Sequence, residues 1–85
     1  MTGHEEKQLD TILKMVGEET IRATKRFAKF NSPHEGYAVI LEEVDELWHE
    51  VKHGNSFEQE EEAVQVGAMA MRFVMDCCRK KESDG

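Results

Sequence analysis

Apolar residues recur at helical spacing through three stretches of the chain, and two short polar breaks separate them. In the first stretch Leu9, Ile12, Leu13, Val16, Ile21, Ala23, Phe27 and Phe30 mark a long amphipathic helix that no proline interrupts. The periodicity stops at Asn31-Ser32-Pro33. Ser32 suits an N-cap, Pro33 suits a first helical turn, and Glu35 stands where a capping box needs an acid, so a second helix is predicted to begin there. Its stripe runs Tyr37, Ile40, Leu41, Val44, Leu47, Trp48 and Val51, and Gly54-Asn55 ends it. Ser56 with Gln59 repeats the capping-box logic, which predicts a third helix from about Phe57 to the lysines Lys80 and Lys81, with Glu82 to Gly85 as a disordered tail. No strand pattern occurs. The expected fold is all-α: three helices in one domain over 1–81, joined by tight turns.

Such a chain has too little core for itself. Ala63, Val64, Gly67, Ala68, Ala70, Met71, Val74, Met75 and Cys78 wrap much of the third helix, and the small ones permit close helix approach. A domain of 85 residues rarely gains more than roughly 3–5 kcal/mol from a lone core. A dimer that completes a four-helix core is the natural solution. No staple replaces it, because the only two cysteines, Cys77 and Cys78, are adjacent and cannot bridge within a helix. Reduced cysteines and the absence of an apolar run near the roughly 20 residues of a membrane span point to a cytosolic protein. The formal net charge of −7, from 18 acidic against 11 basic residues, disfavours nucleic acid as a partner. Arg22, Lys25, Arg26 and Lys29 cluster modestly, as a solvated helix face or as contacts for a nucleotide's phosphates.

Two pairs carry the candidate chemistry: Glu43-x-x-Glu46 and Glu62-x-x-Gln65. Residues three apart lie on one helix face, so each pair converges on a point. If the second and third helices pack antiparallel, the two points face each other and become oxygen ligands for a hard cation such as Mg2+, with phosphate oxygens filling the remaining positions. The plain alternative is a set of solvated glutamates, since acids are favoured near a helix N-terminus in any case. Stepping along the helices also aligns Glu62, Gln65, Met69, Arg72 and Asp76, and sets Glu43, Glu46 and Glu50 at the border of the core. Arg72 is the leading candidate for a phosphate contact, with a salt bridge to Asp76 or Glu62 as the alternative; Lys25 and Lys29 are weaker candidates. Trp48 fits either the core or a stack on a nucleobase. His49-Glu50-Val51-Lys52-His53 has the letters of a zinc-protease motif, but no third ligand is evident and the chain is too small for a protease cleft.

Tyr37 to Asp76, about half the chain, resembles the MazG-like all-α nucleoside triphosphate pyrophosphohydrolase superfamily. The signature Glu-Glu-x-x-Glu, spacer, Glu-x-x-Asp stands here as Glu42-Glu43-Val44-Asp45-Glu46, then Glu62-Ala63-Val64-Gln65. The resemblance implies a MazG-like helical bundle, dimeric or tetrameric, that cleaves a nucleoside triphosphate substrate between its α and β phosphates to the monophosphate and pyrophosphate. It also implies metal binding by Glu43, Glu46, Glu62 and Gln65, with Mg2+ and alternatively Mn2+. Gln65 departs from the pattern: it offers a neutral carbonyl where the signature has an anion, which opens the alternative of a helical binding or assembly module with impaired catalysis.

Overall fold

The computed structural model describes residues 1–79 and is all-helical over them, so the predicted end of the third helix at Lys80 and Lys81 and the predicted tail lie outside the described residues. The helices are α1 (Gly3–Arg26), α2 (Pro33–His53) and α3 (Ser56–Phe73), and α3 continues into a π-helical turn, Val74–Cys78. Among the described residues no helix is long and apolar enough to cross a membrane.

Caps set most boundaries. The Thr2 hydroxyl accepts from the Glu5 N–H while the Glu5 carboxylate accepts from the Thr2 N–H, a reciprocal pair that starts α1. Ser32 caps α2 as its sequence predicts, accepting from the Glu35 N–H at 3.1 Å. The Glu35 carboxylate, however, reaches one residue further back, to the Asn31 N–H at 2.8 Å. For α3 the cap is Asn55 rather than Ser56, accepting from the Glu58 N–H at 3.0 Å. Gln59 is free of a capping role and donates instead to the Glu50 carbonyl, tying α3 to the end of α2.

α1 stops at Arg26, short of the expected Phe30, because tertiary contacts claim the residues that follow. Asp76, held in the π turn, accepts the Phe30 N–H at 3.1 Å, and Arg72 donates to the Ala28 carbonyl at 2.8 Å while its guanidinium lies 4.4 Å from the Phe30 ring. These bonds satisfy two linker groups, the Phe30 N–H and the Ala28 carbonyl, that an α-helix would otherwise have paired, so the chain turns inward. Phe30 is buried as a result.

α2 and α3 form an antiparallel hairpin, and α1 crosses back to lie parallel to α3, with Val16 against Gly67 and Thr20 against Met71. The buried apolar core is only Ala23, Phe30, Ala68 and Met69, supported by Val39, Ile40, Phe73 and Cys77. Gly36 lets the hairpin close: a Cβ there would stand 2.7 Å from the Phe73 ring and 3.1 Å from that of Phe30. Gly36→Ala is therefore expected to destabilise the fold by about 1–3 kcal/mol through overpacking, despite alanine's better helix propensity, and a shift in the urea midpoint at constant slope measures it.

The predicted stripe on α2 divides. Ile40 and Leu47 are half-buried, whereas Tyr37, Leu41, Val44, Trp48 and Val51 remain exposed. What faces α3 instead is the line Gly36, Ile40, Glu43, Leu47 and Glu50, so two of the acids expected to border the core lie in the helix seam.

Candidate metal centre

Glu43 and Glu46 project from the middle of α2, one turn apart, and Glu62 answers them from the first half of α3. One oxygen of each lies within 4.8 Å of the others, and among the described residues this is the one such group of three. Glu43 and Glu62 are half-buried and Glu46 is exposed, so the cluster opens to solvent on one side. The pairing follows from the antiparallel hairpin and from the three-residue spacing within α2.

The charges that act on Glu43 and Glu62 are those of neighbouring glutamates. Loss of solvent, and then the neighbouring Glu46 and Glu62 carboxylates, push the Glu43 carboxyl up to about 7. Glu62 is raised as well, first by loss of solvent and then by Glu46. Its Oε2 is buried without a hydrogen-bond partner. Buried carboxylate oxygens are ordinarily paired, and three carboxylates crowded together, one with an orphaned oxygen, fit a hard divalent cation, which takes oxygen ligands in this way. The acidic line continues toward the hairpin turn, where Glu50 is raised by a hydrogen bond to Glu58.

Gln65 sits one turn beyond Glu62, and its amide lies beside Glu19 of α1, where it is the largest cause of that carboxyl's lowered pKa. Glu19 also accepts from the Arg22 Nε at 2.9 Å. The sequence reading missed Glu19; its only local signal is an acid three residues before an arginine, which is common on any solvated helix.

A cleft of about 460 Å³ adjoins the cluster, within the size range of small-molecule sites. Glu43 and Gln65 line one part of it, while Lys29, Arg72, Phe27 and Phe30 line another. Arg72 is buried, and its partner is the Ala28 carbonyl rather than Asp76 or Glu62. Its Nε is buried without a hydrogen-bond partner. Lys25 and Trp48 do not line the cleft. Lys25 is exposed on α1, and Trp48 is exposed on α2 with the Lys52 ammonium 5.4 Å from its ring. The His49 and His53 rings lie 4.9 Å apart on an exposed face, without a third ligand among the described residues. Lys29 apart, the cleft walls contributed by the linker, Phe27 and Ala28 to Asn31, were invisible in the sequence because they formed part of a predicted helix or its end. No family model matches the chain, and neither does any curated protein or solved structure.

Proposed function

We propose that this chain is a divalent-cation-dependent nucleoside triphosphate pyrophosphohydrolase of the MazG-like kind. The observation that carries the reading is the convergence of Glu43, Glu46 and Glu62, one of which has an unpartnered buried oxygen, beside a cleft of nucleotide size. The resemblance of Glu42 to Glu46 and Glu62 to Gln65 to the superfamily signature supports the same chemistry. Glu43, Glu46 and Glu62 would hold Mg2+ or Mn2+, with the Gln65 carbonyl as a neutral fourth donor. When bound, the cation supplies charge neutralisation for the phosphates and acidification of the attacking water. Glu46, the solvent-facing member, would also be placed to take up a proton from water. Lys29, and Arg72 where its guanidinium lines the cleft, would meet phosphate oxygens, and Phe27 and Phe30 give the cleft an apolar wall. The protein acts on free nucleotides in the cytoplasm, as a homo-oligomer that covers its exposed apolar surface; its net charge of −7 disfavours nucleic acid.

The test is release of pyrophosphate from a panel of ordinary and modified nucleoside triphosphates, with magnesium, with manganese and with chelator. Metal-dependent release with an equivalent of monophosphate is the expected result; no release by folded protein overturns the reading.

One observation favours a second reading, a helical binding module without turnover: the Gln65 amide engages Glu19 and brings no charge to the cluster. Gln65→Asp separates the two. A fourth carboxylate at a working site is expected to raise magnesium affinity about tenfold, equivalent to about 1.4 kcal/mol, as read by titration calorimetry. Unchanged affinity and no turnover would favour the binding module.

A further inference from the structure

Glu19 is an acid at the cleft to which the cation reading gives no task. Val16 against Gly67, and the Thr20 hydroxyl 3.7 Å from the Met71 sulfur, fix α1 on α3. Between those contacts α1 presents Glu19, half-buried, to the same cleft that Glu43 and Gln65 line, and the Gln65 amide lies beside its carboxylate. From the solvent side the exposed Arg22 donates to Glu19 through Nε and through a terminal nitrogen, and both bonds reach Oε1. The second oxygen remains for another donor. Gln65 thus has Glu62 one turn before it on α3 and Glu19 across from it on α1. A primary amide suits that place, because it carries a donor at one end and an acceptor at the other, whereas an ionised carboxylate only accepts. Nitrogen is the end that Glu19 can hold, and the carbonyl oxygen is then turned away from α1.

We propose that Glu19 is a positioning residue for the cation site: it holds the nitrogen of the Gln65 amide, so that the carbonyl oxygen faces the glutamates of α2 and α3. This rests on the cation-dependent reading above and adds a residue to it from a third helix. The anion that position 65 lacks stands one side chain further out, on α1, and acts through the amide. An aspartate at 65 would set a second anion beside Glu19, whereas glutamine joins an anion to a cation site without like charges meeting. Groups that orient a metal ligand by hydrogen bonding typically cost about 10–100-fold in metal affinity when removed.

Magnesium affinity, measured by titration calorimetry without nucleotide, is the experiment. Glu19→Ala removes both the charge and the acceptor, and is expected to weaken binding about tenfold. Glu19→Gln removes the charge but keeps an acceptor for the amide, so it should retain most of the affinity. In a Gln65→Asp background, which has no amide to hold, Glu19→Ala should cost nothing, and the two positions are then coupled. Both replacements are good helix formers at a partly exposed position, and melting curves in chelator check that the fold is kept. Wild-type affinity in Glu19→Ala overturns the proposal. Equal losses in Glu19→Ala and Glu19→Gln, or the same loss in the Gln65→Asp background, also overturn it, because Glu19 would then act through its charge alone. A wild type that binds no magnesium overturns the cation reading itself, and this inference with it.

Discussion

Glu43→Gln is expected to abolish metal-dependent pyrophosphate release while making the metal-free protein more stable at pH 8. The two effects share one cause. Glu43 is half-buried between Glu46 and Glu62, and without a cation its negative charge repels both. An amide of the same shape removes that repulsion, and each kcal/mol relieved raises the melting temperature by about 4–8 °C in a domain of this size. The amide also withdraws an anionic ligand, so the stabilisation that magnesium gives the wild type should largely disappear. Thermal unfolding with chelator and with saturating magnesium, beside the pyrophosphate assay, reads both. A variant that melts lower in chelator and responds to magnesium as the wild type does would remove Glu43 from the site. Double replacement of Glu43 and Glu46 by alanine should likewise leave helicity intact and turnover absent.

The second large effect is on pH dependence, which should reverse in sign between the metal-free and metal-bound protein. Glu43 has a folded-state pKa of about 7 against an ordinary 4.5. Between those values the folded chain holds a proton that the unfolded chain has released, so raising the pH favours unfolding. Glu62 is raised too and acts in the same sense. Metal-free stability is therefore expected to fall from about pH 4.5 to about pH 7 and then level off. Glu19, lowered by Gln65 and Arg22, works in a separate window: its contribution is present above the ordinary carboxyl pKa and is lost on further acidification. Magnesium competes with the proton at Glu43, so its stabilising effect should be small at pH 5 and large at pH 8. Melting curves at half-unit pH steps, with and without the cation, measure the crossing. A metal-free profile flat from pH 5 to pH 7 would show that the three carboxylates do not feel one another.

Much of this was legible in the sequence. Ser32 and Pro33 mark the start of α2 because cap and first-turn geometry are local, and the breaks at residues 31–33 and 54–55 divide the helices for the same reason. The convergence of Glu43, Glu46 and Glu62 follows from spacing plus a short connection, again nearly local information. What escaped is set by contacts distant in sequence. Phe27 to Phe30 continue an apolar pattern and read as helix, but Asp76 and Arg72, more than forty residues on, take their backbone groups. The role of Arg72 escaped for the same reason. On α2 the periodicity alone marks two neighbouring stripes without ranking them. The bulkier one reads as core, yet in the single chain the inward side is the line of Gly36, where α3 comes close enough to exclude a side chain. The π turn has no sequence signal that we can identify.

The unequal packing of α1 bears on how the molecule opens. Every residue from Met1 to Lys14 is exposed, and contact with the rest of the chain begins only around Met15 and Val16. Amide protons in those first turns are protected by the helix's own ladder alone, and an isolated stretch of that length is marginal in water. Hydrogen exchange should therefore run inward from the N-terminus, reaching Thr20 and Ala23 only with global unfolding. The helix can fray through half its length while the acidic cluster and the linker at Phe30 keep their shape, so motion at this end is separated from the cluster and the cleft.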